Sequence, residues 1–199
     1  PASNTVSVSI AQKEVTVSGI TVANKAYDGG TNATVNASGA TFDGKVDGDT
    51  LIITATGTFA NADVDNDKTV NLTLGTLSGA SAGNYKLAAT GNQTTTTADI
   101  TQATLTVTPV ANQSKKFKEA DPALTYNCSG NVSGQTPAFN GKLSRAEGED
   151  VGEYDITLGN LALKDNGNFK ASNYELKMVS SAVKFEIKKA DAPAAPSPP

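Results

Sequence analysis

Apolar and polar residues alternate in short runs along this chain. Thr5–Ile10, Glu14–Ile20, Thr50–Ala55, Thr69–Leu74, Leu105–Thr108, Tyr154–Leu158, Tyr174–Val179 and Val183–Ile187 either alternate or are rich in β-branched residues. A period of two puts one face of a segment in a core and the other in water, so each run predicts a strand. Gly, Asn and Asp separate the runs, as turns require. No long stretch carries a helical period, and Leu143–Asp150 is the best candidate for a short helix or turn. The pattern predicts an all-β chain.

The strands recur. Ile10-Ala11-Gln12-Lys13 precedes Val15-Thr16-Val17, and Ile100-Thr101-Gln102-Ala103 precedes Leu105-Thr106-Val107, at an offset of 90 residues. Ile187-Lys188-Lys189-Ala190 repeats the motif 87 residues later. Tyr27 and Phe117 each stand 17 residues after their isoleucine. Val46–Thr50 matches Val132–Thr136, Thr73–Leu77 matches Thr157–Leu161, and Asn84–Leu87 matches Asn173–Leu176. Matches kept in one order at a nearly constant offset define a repeat. The expected modules are 11–100 and 101–188, each long enough for its own core. Residues 1–10 are expected to be the last strand of a module upstream, so that the chain is a portion of a longer polypeptide. Residues 189–199 read as a stiff Pro/Ala linker. Only four residues lie between Ile100 and Leu105. So short a link predicts a nearly fixed, end-to-end junction.

Asp150-Val151-Gly152-Glu153-Tyr154 has the form of a tyrosine corner, in which the phenol bonds back to the preceding backbone at a Greek-key crossover. Gly83-Asn84-Tyr85 keeps the same Gly-to-Tyr spacing. Two Ig-like Greek-key sandwiches are the expected fold, with a β-grasp arrangement as the alternative. Tyr27, Tyr85, Phe117, Tyr154 and Tyr174 are expected to be structural anchors.

Module one resembles the YDG domain through Lys25-Ala26-Tyr27-Asp28-Gly29-Gly30-Thr31, Gly83-Asn84-Tyr85 and Ala98-Asp99-Ile100. Module two resembles the MBG domain through Phe117–Tyr126, Gly141–Arg145, Gly148–Tyr154 and Asn173-Tyr174. Phe117-Lys118 stands where that family usually has Tyr-Gly, leaving the turn there without its glycine. The resemblance implies tandem modules of large bacterial adhesin-like or secreted proteins, located outside the cell at its surface and without known catalysis.

Composition narrows the chemistry. The chain has 199 residues, a net charge of −4, no His, no Trp and one cysteine. Lacking His, it has no imidazole base, imidazole metal ligand or Ser-His-Asp triad. Cys128 has no intramolecular disulfide partner and reads as a small apolar filler. The acidic balance argues against nucleic acid, and the basic cluster Lys115, Lys116 and Lys118 reads as a solvated loop. No signal-peptide pattern and no membrane-spanning apolar run is present. Asp63-Val64-Asp65-Asn66-Asp67 is the densest run of oxygen ligands, but it lacks the following Gly and distal Glu of a calcium loop and reads as a hairpin tip. Tyr27-Asp28-Gly29-Gly30 reads as a turn in preference to a ligand loop. Lys–Asn isopeptide cross-links are conceivable, but sequence names no pair. Seven Asn-x-Ser/Thr sites, at Asn32, Asn36, Asn71, Asn92, Asn112, Asn127 and Asn131, follow from Asn/Thr richness in a bacterial chain. The expectation is a non-enzymatic stalk or spacer, without cofactor or membrane insertion, whose partners are neighbouring repeats. An adhesin module that binds glycan or host protein is the alternative.

Overall fold

The structure is a computed structural model and describes residues 6–179 and 183–191. The chain divides into two compact units at Thr101/Gln102. Strands take up 49% of the described residues and helix 3%, so the fold class is all-β. Among the described residues the only helical pieces are two single 3-10 turns, Ala82–Asn84 and Ala171–Asn173. The crossing helix of a β-grasp is therefore not found among them.

Module one contains β1 (Lys13–Ser18), β2 (Thr21–Val22), β3 (Lys25–Ala26), β4 (Asn32–Ala33), β5 (Val35–Asn36), β6 (Thr41–Asp43), β7 (Ile52–Phe59), β8 (Asp65–Ser78), β9 (Tyr85–Leu87) and β10 (Thr95–Thr101). One sheet has the order β6-β1-β9, and the other the order β3-β10-β8-β7-β4. β1 runs parallel to β9, and β3 runs parallel to β10; the other pairs are antiparallel. β2 and β5 form a small separate pair.

Module two contains β11 (Ala103–Pro109), β12 (Ser114–Lys116), β13 (Tyr126–Ser129), β14 (Ala138–Asn140), β15 (Ser144–Arg145), β16 (Gly152–Thr157), β17 (Ala162–Lys164), β18 (Tyr174–Met178) and β19 (Lys184–Lys188). Its sheets repeat the plan. β13-β11-β18 corresponds to β6-β1-β9, and β12-β19-β16-β15 corresponds to β3-β10-β8-β7. β11 runs parallel to β18, and β12 runs parallel to β19. A wholly antiparallel Greek-key sandwich would lack these parallel pairs. Lys13 faces Tyr85 in β1/β9, and Ala103 faces Tyr174 in β11/β18, so even the register is kept.

The cores follow the alternation. Val15 and Val17 of β1, Val70 and Leu72 of β8, and Ala98 and Ile100 of β10 are buried, with the residues between them less so. In module two Val107 of β11 packs with Ile156 of β16 and with Phe185 and Ile187 of β19, which joins its two sheets into one core. Burying each of the valine, leucine, isoleucine and phenylalanine side chains contributes about 1.5–3 kcal/mol.

Leu143–Asp150 is not helical: Ser144–Arg145 pairs with β16, and the segment then bends. Two local expectations change. Lys115 lies on a strand with its side chain buried, and so is no part of a solvated loop. Residues 6–10 form no strand, and Val6, Val8 and Ile10 are exposed. Residues 1–5 and 192–199, with most of the expected linker, lie outside the described residues.

Candidate functional site

The matched segments Val46–Thr50 and Val132–Thr136 fold into equivalent turns. Asp49 N–H donates to Val46 O at 3.2 Å, and Gln135 N–H donates to Val132 O at 3.0 Å. Gly48 and Gly134 supply the left-handed residue of each turn, with φ of 88° and 79°. A phenol docks on each. Val46 N–H donates to Tyr85 Oη at 3.0 Å, and Tyr85 donates to Asp49 Oδ2 at 2.5 Å. Val132 N–H donates to Tyr174 Oη at 3.0 Å, and Tyr174 donates to Gln135 Oε1 at 2.7 Å. Replacing Gly134 by alanine forces a Cβ into that conformation and should cost about 1–2 kcal/mol. Thermal unfolding of the variant measures it.

A glutamine closes each arrangement from the other side. Gln12 Nε2 donates to Gly83 O at 3.0 Å, and Gln102 Nε2 donates to Ser172 O and Tyr174 O, both at 3.1 Å. Tyr85 and Tyr174 are thus matched anchors, each buried. The Tyr85 hydrogen bond, followed by that of Ser81, holds the Asp49 carboxyl below its usual range. The bond to Asp49 in turn pushes the Tyr85 phenol up. A carboxylate that stays charged and a phenol that stays protonated form a structural pair, not a proton-transfer couple.

A second equivalence is centred on lysine. Lys25 faces Ile100 in β3/β10, and Lys115 faces Ile187 in β12/β19. The next-but-one residue closes each pair: Tyr27 N–H donates to Thr101 O, and Phe117 N–H donates to Lys188 O, both at 2.8 Å. Lys25 Nζ donates to Asp28 Oδ1 at 2.8 Å, Gly30 O at 2.8 Å and Asn32 O at 3.2 Å. Asp28 also caps Gly30 N–H, so the Tyr27–Gly30 segment is an organised turn around Lys25. Tyr27 itself is buried, and Phe117 packs against the core of its module.

Lys115 anchors a larger network. It pairs with Asp121 at 2.8 Å and with Glu149. Arg145 grips Asp121 through Nε at 2.8 Å and Nη2 at 3.1 Å, and Glu149 through Nη2 at 2.6 Å. Its guanidinium lies 5.0 Å from the Tyr154 ring centre and 5.5 Å from that of Phe185. Tyr154 is held in turn by its Oη bond to Asp150 O at 2.7 Å, the local bond expected of a tyrosine corner. Asp121, Arg145 and Glu149 border a groove of about 490 Å³ lined from Asp121 to Leu124 and from Lys142 to Glu149. Its charged lining is Lys142 and Arg145 with Asp121, Glu147 and Glu149.

Arg145 and then Lys115 hold the Asp121 carboxyl below its usual range; Lys115 and then Arg145 do the same for Glu149. A carboxyl depressed in the folded state stabilises fully above its ordinary pKa, and that contribution is lost as pH falls through the depressed value. The melting temperature of module two should therefore fall on acidification, and the fall should be smaller in Arg145→Met. Melts across the carboxylate range check both.

The other candidates do not assemble a reactive site. Among the described residues no three His, Cys, Asp or Glu side chains are grouped to hold a metal. Asp65 caps Asn66 N–H at the start of β8, Asp67 takes a left-handed φ of 49°, and Asp67 N–H donates to Asp99. Burial pushes the Cys128 thiol up, away from the reactive thiolate. A Lys–Asn pair does meet, since buried Lys68 donates to Asn61 Oδ1 at 2.7 Å. That oxygen also accepts from Asp63 N–H at 3.0 Å, so Asn61 caps the turn. Lys118 adopts a φ of 70° at the place of the missing glycine, so the turn survives with a strained residue. Lys118→Gly should raise stability by about 1 kcal/mol, read from thermal or urea unfolding.

Sequence reading paired Tyr27 with Phe117 but passed over the lysines two residues earlier, although Lys25 and Lys115 share the 90-residue offset. It also passed over Gln12 and Gln102, one repeat apart. Asp121, Arg145 and Glu149 were visible as parts of motifs, but not as partners.

One pairing plan, one tyrosine-on-turn anchor and one lysine position, each present twice, define a tandem array of all-β repeat modules. A YDG domain matches residues 11–98, and an MBG domain (YGX type) matches residues 105–183. The chain is a YDG domain followed by an MBG domain. No curated protein and no solved structure matches it. MBG-type domains are found in cell-surface proteins, and neither domain type is known to be catalytic.

Proposed function

We propose that the chain is a non-catalytic stretch of a repeat array that serves as a load-bearing stalk or spacer in a bacterial cell-surface protein. The observation that carries this reading is the pairing common to both modules. The first strand runs parallel to the penultimate strand, and a short early strand runs parallel to the last. Tension on the two ends of such a module drags parallel partners along one another. Their hydrogen bonds are then loaded together, in shear, and do not open one at a time. Only Gln102 lies between β10 and β11. The partners of the chain are the neighbouring repeats of the same polypeptide.

Single-molecule pulling on the 199-residue chain tests this. Two unfolding steps are expected, each releasing about 300 Å of chain for a module of about 90 residues. Ala88→Pro removes the Ala88 N–H to Val15 O bond that ends the β1/β9 pair and should weaken the module-one step alone. Extension without resolved force steps would overturn the load-bearing reading. Glycan and host-protein capture that is abolished by altering one loop would replace it with an adhesin.

A further inference from the structure

Residues 6–10 contain three apolar side chains in alternation, all in water: Val6 is 83% exposed, Val8 84% and Ile10 96%. The equivalents of Val8 and Ile10 elsewhere in the chain are in the cores. The repeat aligns Val8 with Ala98 and Phe185, and Ile10 with Ile100 and Ile187. Those four are 6%, 0%, 1% and 1% exposed. Both equivalent segments are last strands, β10 and β19. Each is hydrogen-bonded on one flank to a parallel early strand and on the other to an antiparallel long strand. The residues that follow also agree, because Gln12 and Gln102 both bind backbone oxygens at the 3-10 turn before the anchor tyrosine.

We infer that residues 6–10 are an interaction strand whose partner is a further module of the same plan, lying upstream in the polypeptide. Val8 and Ile10 complete its core. The segment occupies the slot between an early parallel strand and a long antiparallel strand, and Ile10 faces the lysine position of that early strand. The alternatives fit less well. A free edge for unrelated peptides would not need the Ile-x-Gln junction, and a solvated leader would not repeat the buried positions of β10 and β19. The inference rests on the internal repeat and is independent of any mechanical role.

The match makes a sequence-level prediction. Ile100 lies 75 residues after its facing Lys25, and Ile187 lies 72 after Lys115. An aromatic residue follows each lysine by two positions, Tyr27 and Phe117. The parent polypeptide should therefore carry Lys-x-Tyr or Lys-x-Phe at a similar distance before Ile10. Hydrogen exchange then decides. In the polypeptide extended upstream through that site, the amides of Val8 and Ile10 should be slowed to the level of Ala98 and Ile100. In the 199-residue chain they should exchange at the rate of free peptide. Ile10→Asp in the longer protein should lower the melting temperature of the added module and leave the other two transitions in place. Free exchange at Val8 and Ile10 in the longer protein would overturn the inference, whether or not the pulling experiment succeeds. So would the absence of the Lys-x-aromatic pair.

Discussion

Truncating Tyr174 to alanine should destabilise module two by about 3–5 kcal/mol, the usual range for losing a large buried aromatic. Tyr174 is 2% exposed and stacks on the fully buried Phe169, with ring centres 4.8 Å apart and planes 18° from parallel. Its phenol also ties β18 to the Val132–Gln135 turn. Tyr174→Phe separates the two contributions. It keeps the stack but deprives Val132 N–H of its acceptor, and should cost about 1–2 kcal/mol. Urea unfolding read by hydrogen exchange at module-two amides measures both variants. A loss below about 1 kcal/mol for the alanine variant would mean that this anchor does not hold the module together.

Arg145→Met should be the most damaging single change outside the apolar core. The guanidinium is nearly buried, and removing one partner of a fully buried ion pair costs about 3–5 kcal/mol. The carboxylates of Asp121 and Glu149 are 44% and 67% exposed, so solvent takes up part of the unpaired charge. About 2–3 kcal/mol is the corresponding expectation. Lysine at this position keeps the charge but not the two-pronged grip or the flat surface over Tyr154 and Phe185, and should recover only part of the loss. Calorimetry should show the module-two transition moving and the module-one transition fixed. Equal melting temperatures for Arg145→Met and the parent chain would reduce the network to a surface ornament.

Much of the fold was legible in the sequence because strand alternation is local. Burial at Val15, Val17, Leu105, Val107, Phe185 and Ile187 follows the period of two read from their runs. Alternation states which face is buried but not which strand lies alongside. The parallel pairs β1/β9 and β11/β18 join residues 72 and 71 apart and leave no local trace. β10 escaped notice because Ala98 and Ile100 are the only apolar members of a threonine-rich strand, and its burial is imposed by β3 and β8. Leu143–Asp150, read as a short helix or turn, bends without coiling; the ion pairs that Arg145 and Glu149 make with Asp121 and Lys115 join residues distant in sequence and leave no local trace. The anchors stood out as matched tyrosines, whereas their acceptors Asp49 and Gln135 differ chemically and gave no shared letter to find.

The parallel closure of each module also bears on how an array folds. β1 cannot find its partner until β9 exists, and β11 must wait for β18, so a module forms only when almost all of it is present. Pairings this distant in sequence make for slow folding. During that wait, an unpaired β1 is offered two tyrosine-led strands of like register, its own and its neighbour's. Exchange of equivalent strands is a characteristic error of repeat proteins. Here the neighbours have diverged where it matters. Lys13 and Glu14 begin β1, and Glu14 pairs with Lys86 on β9, whereas Ala103 and Thr104 begin β11 opposite Tyr174 and Glu175. Docking β1 onto β18 in the native register would set Glu14 against Glu175. That like-charge pair disfavours docking of β1 on the wrong neighbour.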